Sequence, residues 1–217
     1  MPDPSTVRSR HPDPVPVPTD WPAHRPMTGY WWPLPGDGLS ARVRAFLDAG
    51  EPPVFVGFGS MTAPGAGEAV RGALARLGRR AVVRRGTADL SAGGPEVLVV
   101  DDEPHAELFP RMAAIVHHGG AGTTKTAARA GAPQVIVPQI VDQPYWAGRV
   151  AGLGIGAAHD GPTPTLESLS VALRTALTPG TRARATAVAG TIRTDGATVA
   201  AKLLLDAIRQ ERPPASA

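Results

Sequence analysis

The chain has 217 residues, with 42% apolar and 19% charged residues and a formal net charge of +3. That balance excludes a disordered chain or a coiled coil, and the length suits one large domain, or one domain with an appendage. The absence of cysteine excludes a disulfide framework, thiolate chemistry and a Cys-based zinc site. Ten of the 24 prolines and three of the four tryptophans fall in residues 1–36. The run His11-Pro12-Asp13-Pro14-Val15-Pro16-Val17-Pro18 favours extended polyproline geometry over helix or central strand. Residues 1–20 therefore read as a linker or tail. Residues 21–36, which carry Tyr30-Trp31-Trp32, read as a strap packed on a surface, because large rings rarely stay in water. From Leu39 the pattern is regular. Ser40 caps a helix whose face is Val43, Phe46 and Leu47, stopped by Gly50. Val54 to Phe58 is a buried strand, and a helix follows through Val70, Leu74 and Leu77. Ala81–Val83 and Val97–Val100 are two further strands, and His105 to Met112 is a short helix. Ala114–Val116 is a strand, Gly122 to Ala130 a helix ended by Gly131, Val135–Val137 a fifth strand, and Gln143 to Leu153 a helix. Helices over 166–177, 181–193 and 196–211 close the chain, with Thr165, Thr181 and Thr194 or Asp195 as caps.

Short, wholly apolar strands alternating with helices specify an α/β fold, a doubly wound Rossmann-like parallel sheet covered on both faces. Its ligand belongs at the carboxyl ends of the strands. No apolar stretch reaches the roughly 18 residues of a membrane span. The first residues carry no apolar run behind their charges, so the expectation is no signal peptide and a cytoplasmic protein. The arginines are scattered and aromatics are 5%, without the basic stripe of a nucleic-acid binder.

The densest chemical signal is His117-His118-Gly119-Gly120-Ala121-Gly122-Thr123-Thr124, between a strand and a helix. Glycines allow close backbone approach, and the helix start offers free N–H groups and partial positive charge, which together make a phosphate cradle. His117 and His118 add donors at its edge. A tight turn with two incidental histidines is the plain alternative. A Walker loop is excluded because Lys125 follows Thr124 and not glycine. The dinucleotide fingerprint is excluded because Gly57-Phe58-Gly59-Ser60-Met61-Thr62 lacks its third glycine. Adjacent histidines on a strand end diverge, which disfavours a metal. Gly59 and Ser60 follow the first strand, where a ligand loop belongs, although a plain turn explains them equally well. Asp142-Gln143-Pro144 stands at a helix start, where ordinary capping competes with a grip on sugar hydroxyls. Beside a phosphate cradle the sugar-gripping pair is the better reading. The segment Val100-Asp101-Asp102-Glu103-Pro104-His105 is a solvated rim by default and, in this fold, a wall for a base.

These motifs, with Thr28-Gly29-Tyr30-Trp31, Ala130-Gly131-Ala132-Pro133-Gln134, His159-Asp160-Gly161-Pro162-Thr163-Pro164-Thr165 and Thr194-Asp195-Gly196, resemble the C-terminal donor domain of GT-B glycosyltransferases of the UDP-glycosyltransferase superfamily. The resemblance is closest to actinomycete enzymes that glycosylate vancomycin- and teicoplanin-class antibiotics, and it spans residue 21 to the C-terminus. It implies residues 1–36 as interdomain linker and strap and 37–217 as the nucleotide-sugar donor-binding domain. It assigns the donor pyrophosphate to His117, Gly119, Gly120, Ala121, Gly122 and Thr123, with Gly59 and Ser60 on the facing loop. It assigns the sugar hydroxyls to Asp142 and Gln143, and the base to Val100, Asp102, Pro104 and His105. It implies a UDP- or TDP-sugar, no cofactor, no metal, and an inverting transfer to a natural-product acceptor such as a glycopeptide aglycone. In the family the acceptor site and catalytic base belong to an N-terminal domain, supplied in cis or in trans, so the chain alone is expected to transfer little or no sugar. A non-catalytic nucleotide-sugar-binding module is the alternative. A metal-free hydrolase or epimerase would have only Asp102, His105 and His118 to draw on.

Overall fold

The computed structural model describes residues 26–33, 36–59, 66–87 and 95–211. The polyproline reading of residues 1–20 and Ser60 lie outside them. The chain divides into two compact units, one of residues 36–190 and one joining residues 1–35 to 191–217.

The larger unit begins with α1 (Ala41–Asp48), where Ser40 Oγ accepts from Val43 N at 3.3 Å. It continues through β1 (Val54–Gly57), α2 (Ala66–Arg76), β2 (Ala81–Arg84) and β3 (Val97–Val100). Next come α3 (His105–Leu108) with a 3-10 turn at Phe109–Arg111, β4 (Ala114–His117), α4 (Ala121–Arg129), β5 (Gln134–Ile136) and α5 (Gln143–Gly152). It ends with β6 (Gly156–Ala158), α6 (Leu166–Ala176) and α7 (Pro179–Ala189). The six strands form one parallel sheet in the order β3-β2-β1-β4-β5-β6. This is the doubly wound architecture expected from the alternating apolar strands.

Strand alternation sends successive side chains to opposite faces, so each strand feeds two cores. Val54, Val56, Ala81, Val83, Ala114 and Val116 pack with α2 and α6 residues such as Val70, Leu74, Leu169 and Leu173. Phe55, Val82, Leu98 and Ile115 pack against Val43, Leu47, Leu108, Phe109 and Ala127 on the other face.

Two expectations need correction. Strand β6 was not anticipated, because Gly-Ala-Ala carries none of the β-branched residues that mark a strand. It forms by pairing with β5, Gln134 beside Gly156. Helix α7 starts before Thr181, because Thr178 supplies the cap, accepting from Thr181 N at 3.1 Å, and Pro179 suits the first turn.

In the smaller unit α8 (Gly196–Glu211) follows Asp195, whose carbonyl accepts from Val199 N. Residues 26–33 lie along its start. A Cβ on Gly196 would stand 2.6 Å from the Tyr30 carbonyl oxygen, so only glycine admits this approach. Trp32 Nε1 donates to the Arg193 carbonyl at 3.0 Å.

Candidate functional site

The strand order reverses direction between β1 and β4, and ligands of doubly wound sheets bind in the crevice at that point. Gly57 at the end of β1 pairs with His117 at the end of β4. The two glycine-rich turns singled out in the sequence are therefore neighbours, one on each side of the crevice.

The turn after β4 is built on Gly119, whose φ is +95°. A side chain there would place its Cβ 2.7 Å from Ile136 Cγ2 and 3.2 Å from Gln143 Cβ. Gly120 is the N-cap of α4, and among the described residues no side chain caps this end. The first N–H groups of a helix lack intrahelical partners, so the end of α4 keeps its donors and its partial positive charge. Thr124 is buried and its Oγ1 donates back to the Gly120 carbonyl at 3.0 Å, bracing the first turn. Among the described residues beyond its own turn, nothing lies within 4 Å of the Cβ position of Gly122. Ala121 and Thr123 are half-buried beside it.

The two histidines part company. His117 is fully buried, with Nε2 3.0 Å from Gln134 Oε1 and Nδ1 accepting from Gly119 N at 3.1 Å. Burial drives its pKa down to about 3, against the raising effect of the Gln134 hydrogen bond. The expected role of His117 as a diphosphate donor does not fit, because its ring is enclosed and both nitrogens are engaged within the fold. The His118 ring is only half-buried. It lies between the two turns, with Cε1 3.1 Å from the Cβ position of Gly59 and Nε2 2.6 Å from that of Gly120. Its Nδ1 is buried without a hydrogen-bond partner among the described residues. Burial lowers its pKa, and the Asp142 carboxylate opposes that.

Asp142 occupies the N-cap position of α5, yet its side chain caps nothing there. Its Oδ2 instead accepts from Trp146 Nε1 at 2.8 Å, which holds the exposed carboxylate in place. Gln143 is buried, and its Oε1 accepts from Gln139 N at 2.7 Å and Ile140 N at 3.1 Å. Its carbonyl thus closes the loop after β5, and its Nε2 is the group with hydrogens to offer. The same loop contains Val141 at φ +55°, the one non-glycine residue with positive φ among the described residues. A β-branched residue there is strained. Gln139 Nε2 ties this loop to the next, donating to the Val137 carbonyl at 3.1 Å and the Pro162 carbonyl at 3.0 Å.

The expected base wall lies at the carboxyl end of β3, two strands from β1. Val100 does not belong to it, because its side chain is in the core and its carbonyl accepts from Arg85 N at 2.7 Å. Asp102 is exposed and held by Arg84 Nη2 at 3.2 Å. Pro104 is half-buried, and its carbonyl accepts from Glu107 N and Leu108 N at 3.0 Å. The His105 ring stacks on Phe109 with centroids 4.4 Å apart, and burial lowers its pKa.

Gln134 and Gln139 carry much of the site's geometry and were not singled out for it. The available signal was a polar residue opening the otherwise apolar strand Gln134-Val135-Ile136, buried yet amide-bearing. Among the described residues no cluster of His, Asp and Glu is arranged to hold a metal, and no helix is long and apolar enough to cross a membrane.

Residues 69–200 match the family model described as erythromycin biosynthesis protein CIII-like, C-terminal domain. A vancomycin aglycone glucosyltransferase of Amycolatopsis orientalis is 59% identical over 192 residues, covering 86% of this chain and 47% of the relative. A dTDP-epi-vancosaminyltransferase of the same organism is 52% identical over 192 residues, covering 84% and 48%. Among solved structures, the glycosyltransferase VinC in complex with dTDP is similar with a TM-score of 0.62 and 29% identity, over 76% of this chain and 44% of that one. The chain spans about half the length of the curated relatives it matches.

Proposed function

The chain belongs to the family of erythromycin biosynthesis protein CIII-like C-terminal domains, and from that premise we propose that its crevice binds the nucleoside diphosphate of an activated sugar. The observation that carries this reading is His118, set between two glycine turns with Nδ1 buried and unpartnered, in front of the uncapped start of α4. An oxyanion placed there meets backbone N–H groups, a helix dipole and an imidazole together. Gly59, Gly119 to Thr123 and His118 hold the diphosphate, together with Ser60, the residue that follows Gly59 in the sequence. Asp142 accepts from sugar hydroxyls and Gln143 Nε2 donates to them. Asp102, Pro104 and His105 border the base, which is uracil or thymine.

The reaction is an inverting displacement. An acceptor hydroxyl attacks the anomeric carbon, the C–O bond to the diphosphate breaks, and the nucleoside diphosphate leaves with the bonding electrons. Fixed donors facing the leaving group stabilise its growing charge without a metal, each contributing about 3–4 kcal/mol. The acceptor is a natural-product aglycone of the glycopeptide class. Its site, and the general base that takes the hydroxyl proton, belong to the portion of the relatives that this chain does not span. Alone, the chain binds the nucleotide and transfers little or no sugar.

Calorimetry with TDP, UDP and their glucose esters tests the reading. Saturable binding to one of the nucleotides is expected, and a folded chain that binds none refutes it. His118→Ala should weaken binding by about 10- to 100-fold, the factor a single hydrogen bond to charge carries. Addition of a separately produced acceptor half should restore transfer. A chain that binds nucleotide and never supports transfer is a binding module.

A further inference from the structure

We infer that Gln134 is a positioning residue for the diphosphate cradle, acting through His117 on the backbone of Gly119. The inference rests on the proposed nucleotide site.

Gly119 N can only donate, and it points at His117 Nδ1 at 3.1 Å. Nδ1 must therefore be the unprotonated nitrogen, and the ring proton sits on Nε2. Nε2–H then requires an acceptor, which Gln134 Oε1 provides at 3.0 Å. The reverse amide orientation would set two donors against each other. One backbone donor thus fixes the tautomer of His117 and the orientation of Gln134 in turn. The relay runs from β5, across the end of β4, into the turn that precedes α4. Its product is Gly119 held at φ +95°, so that Gly120 and the first turn of α4 face the crevice.

A second observation separates positioning from packing. Gln134 is fully buried on a strand between β4 and β6. Its Nε2 is buried with no hydrogen-bond partner among the described residues. An unpaired buried donor destabilises a fold. The amide is explained by its oxygen, whose partner is the imidazole behind the cradle.

The test is Gln134→Leu, with Gln134→Glu as the variant that keeps an oxygen for Nε2–H. Nitrogen-15 NMR of the histidine rings reads the tautomer, and calorimetry with TDP and UDP reads the cradle. The wild-type chain should hold His117 with its proton on Nε2. Gln134→Leu should mix the tautomers, speed exchange of the Gly119 amide and weaken nucleotide binding about tenfold, the factor one net hydrogen bond carries. Gln134→Glu should keep the tautomer and rescue the affinity. In a His117→Asn background the relay is already cut, so Gln134→Leu should add no further loss. A full loss persisting in that background would show that Gln134 acts by packing, and would overturn the inference. So would a wild-type His117 protonated on Nδ1, or Gln134→Leu with an unchanged tautomer. A wild-type chain that binds neither nucleotide refutes the site reading instead. The tautomer and amide-exchange measurements need no ligand and still decide the inference in that case.

Discussion

His117 should make this fold sensitive to mild acid. Its pKa is about 3 in the folded chain because burial disfavours the charged ring, against the raising effect of the Gln134 hydrogen bond. In the unfolded chain it returns to about 6.5. Above the unfolded value both states hold a neutral ring and stability is complete. As pH falls below about 6.5, the unfolded chain takes up a proton that the native ring refuses, so stability is lost. At about pH 4.5 the unfolded ring is about two units below its pKa, a loss of about 3 kcal/mol at 1.36 kcal/mol per unit. The loss levels off below the folded pKa, near pH 3, at about 5 kcal/mol. Urea unfolding of the wild type and of His117→Asn at about pH 7.5 and 4.5 isolates this contribution. His105 and His118, whose burial also lowers their pKa values, remain in both proteins and cancel in the difference. The wild type should lose about 3 kcal/mol more than the variant over that interval. Equal losses, or a His117 ring that titrates near its ordinary value by NMR, would refute the reasoning.

Other perturbations have expected outcomes. Gly119→Ala forces a side chain into the left-handed region and against Ile136. It should destabilise by about 2–5 kcal/mol in thermal or urea unfolding and abolish nucleotide binding. Arg182 donates to the carbonyls of Gly131, Met112 and Ala113 at 2.9, 2.5 and 2.7 Å, joining α7 to the end of α4 and the start of β4. Arg182→Met should cost about 2–4 kcal/mol in urea unfolding, because those carbonyls lose their partners. Val141→Gly should stabilise by about 1 kcal/mol by relieving the strained turn, while weakening binding of the intact nucleotide-sugar more than that of the free nucleotide in calorimetry. Thr165 and Ser168 form a reciprocal cap on α6, so Thr165→Ala should lower stability by about 1 kcal/mol in the same assay.

The sequence alone determined the architecture and marked the turns of the candidate site. Val54–Val56, Ala114–Val116 and Val135–Ile136 are apolar on both sides, and only a parallel sheet covered on both faces satisfies such strands. Glycines after β1 and β4 marked the turns at the crevice, because their backbone geometry is a local property that composition reveals. Strand β6 was illegible, since Gly-Ala-Ala becomes a strand only when β5 offers its edge. The division of labour between His117 and His118 was equally hidden. Adjacent residues at a strand end look alike in sequence, and alternation says that they diverge without saying which one faces the core. Only tertiary packing decided it, by setting Gln134 behind one ring and two glycine turns around the other. The same holds for Asp142, which a one-dimensional reading could take for a helix cap. Trp146, one turn onward, draws its carboxylate away from the helix end. Strand and turn identity are local and survive in the sequence, whereas the direction a polar side chain takes depends on partners that folding alone brings near.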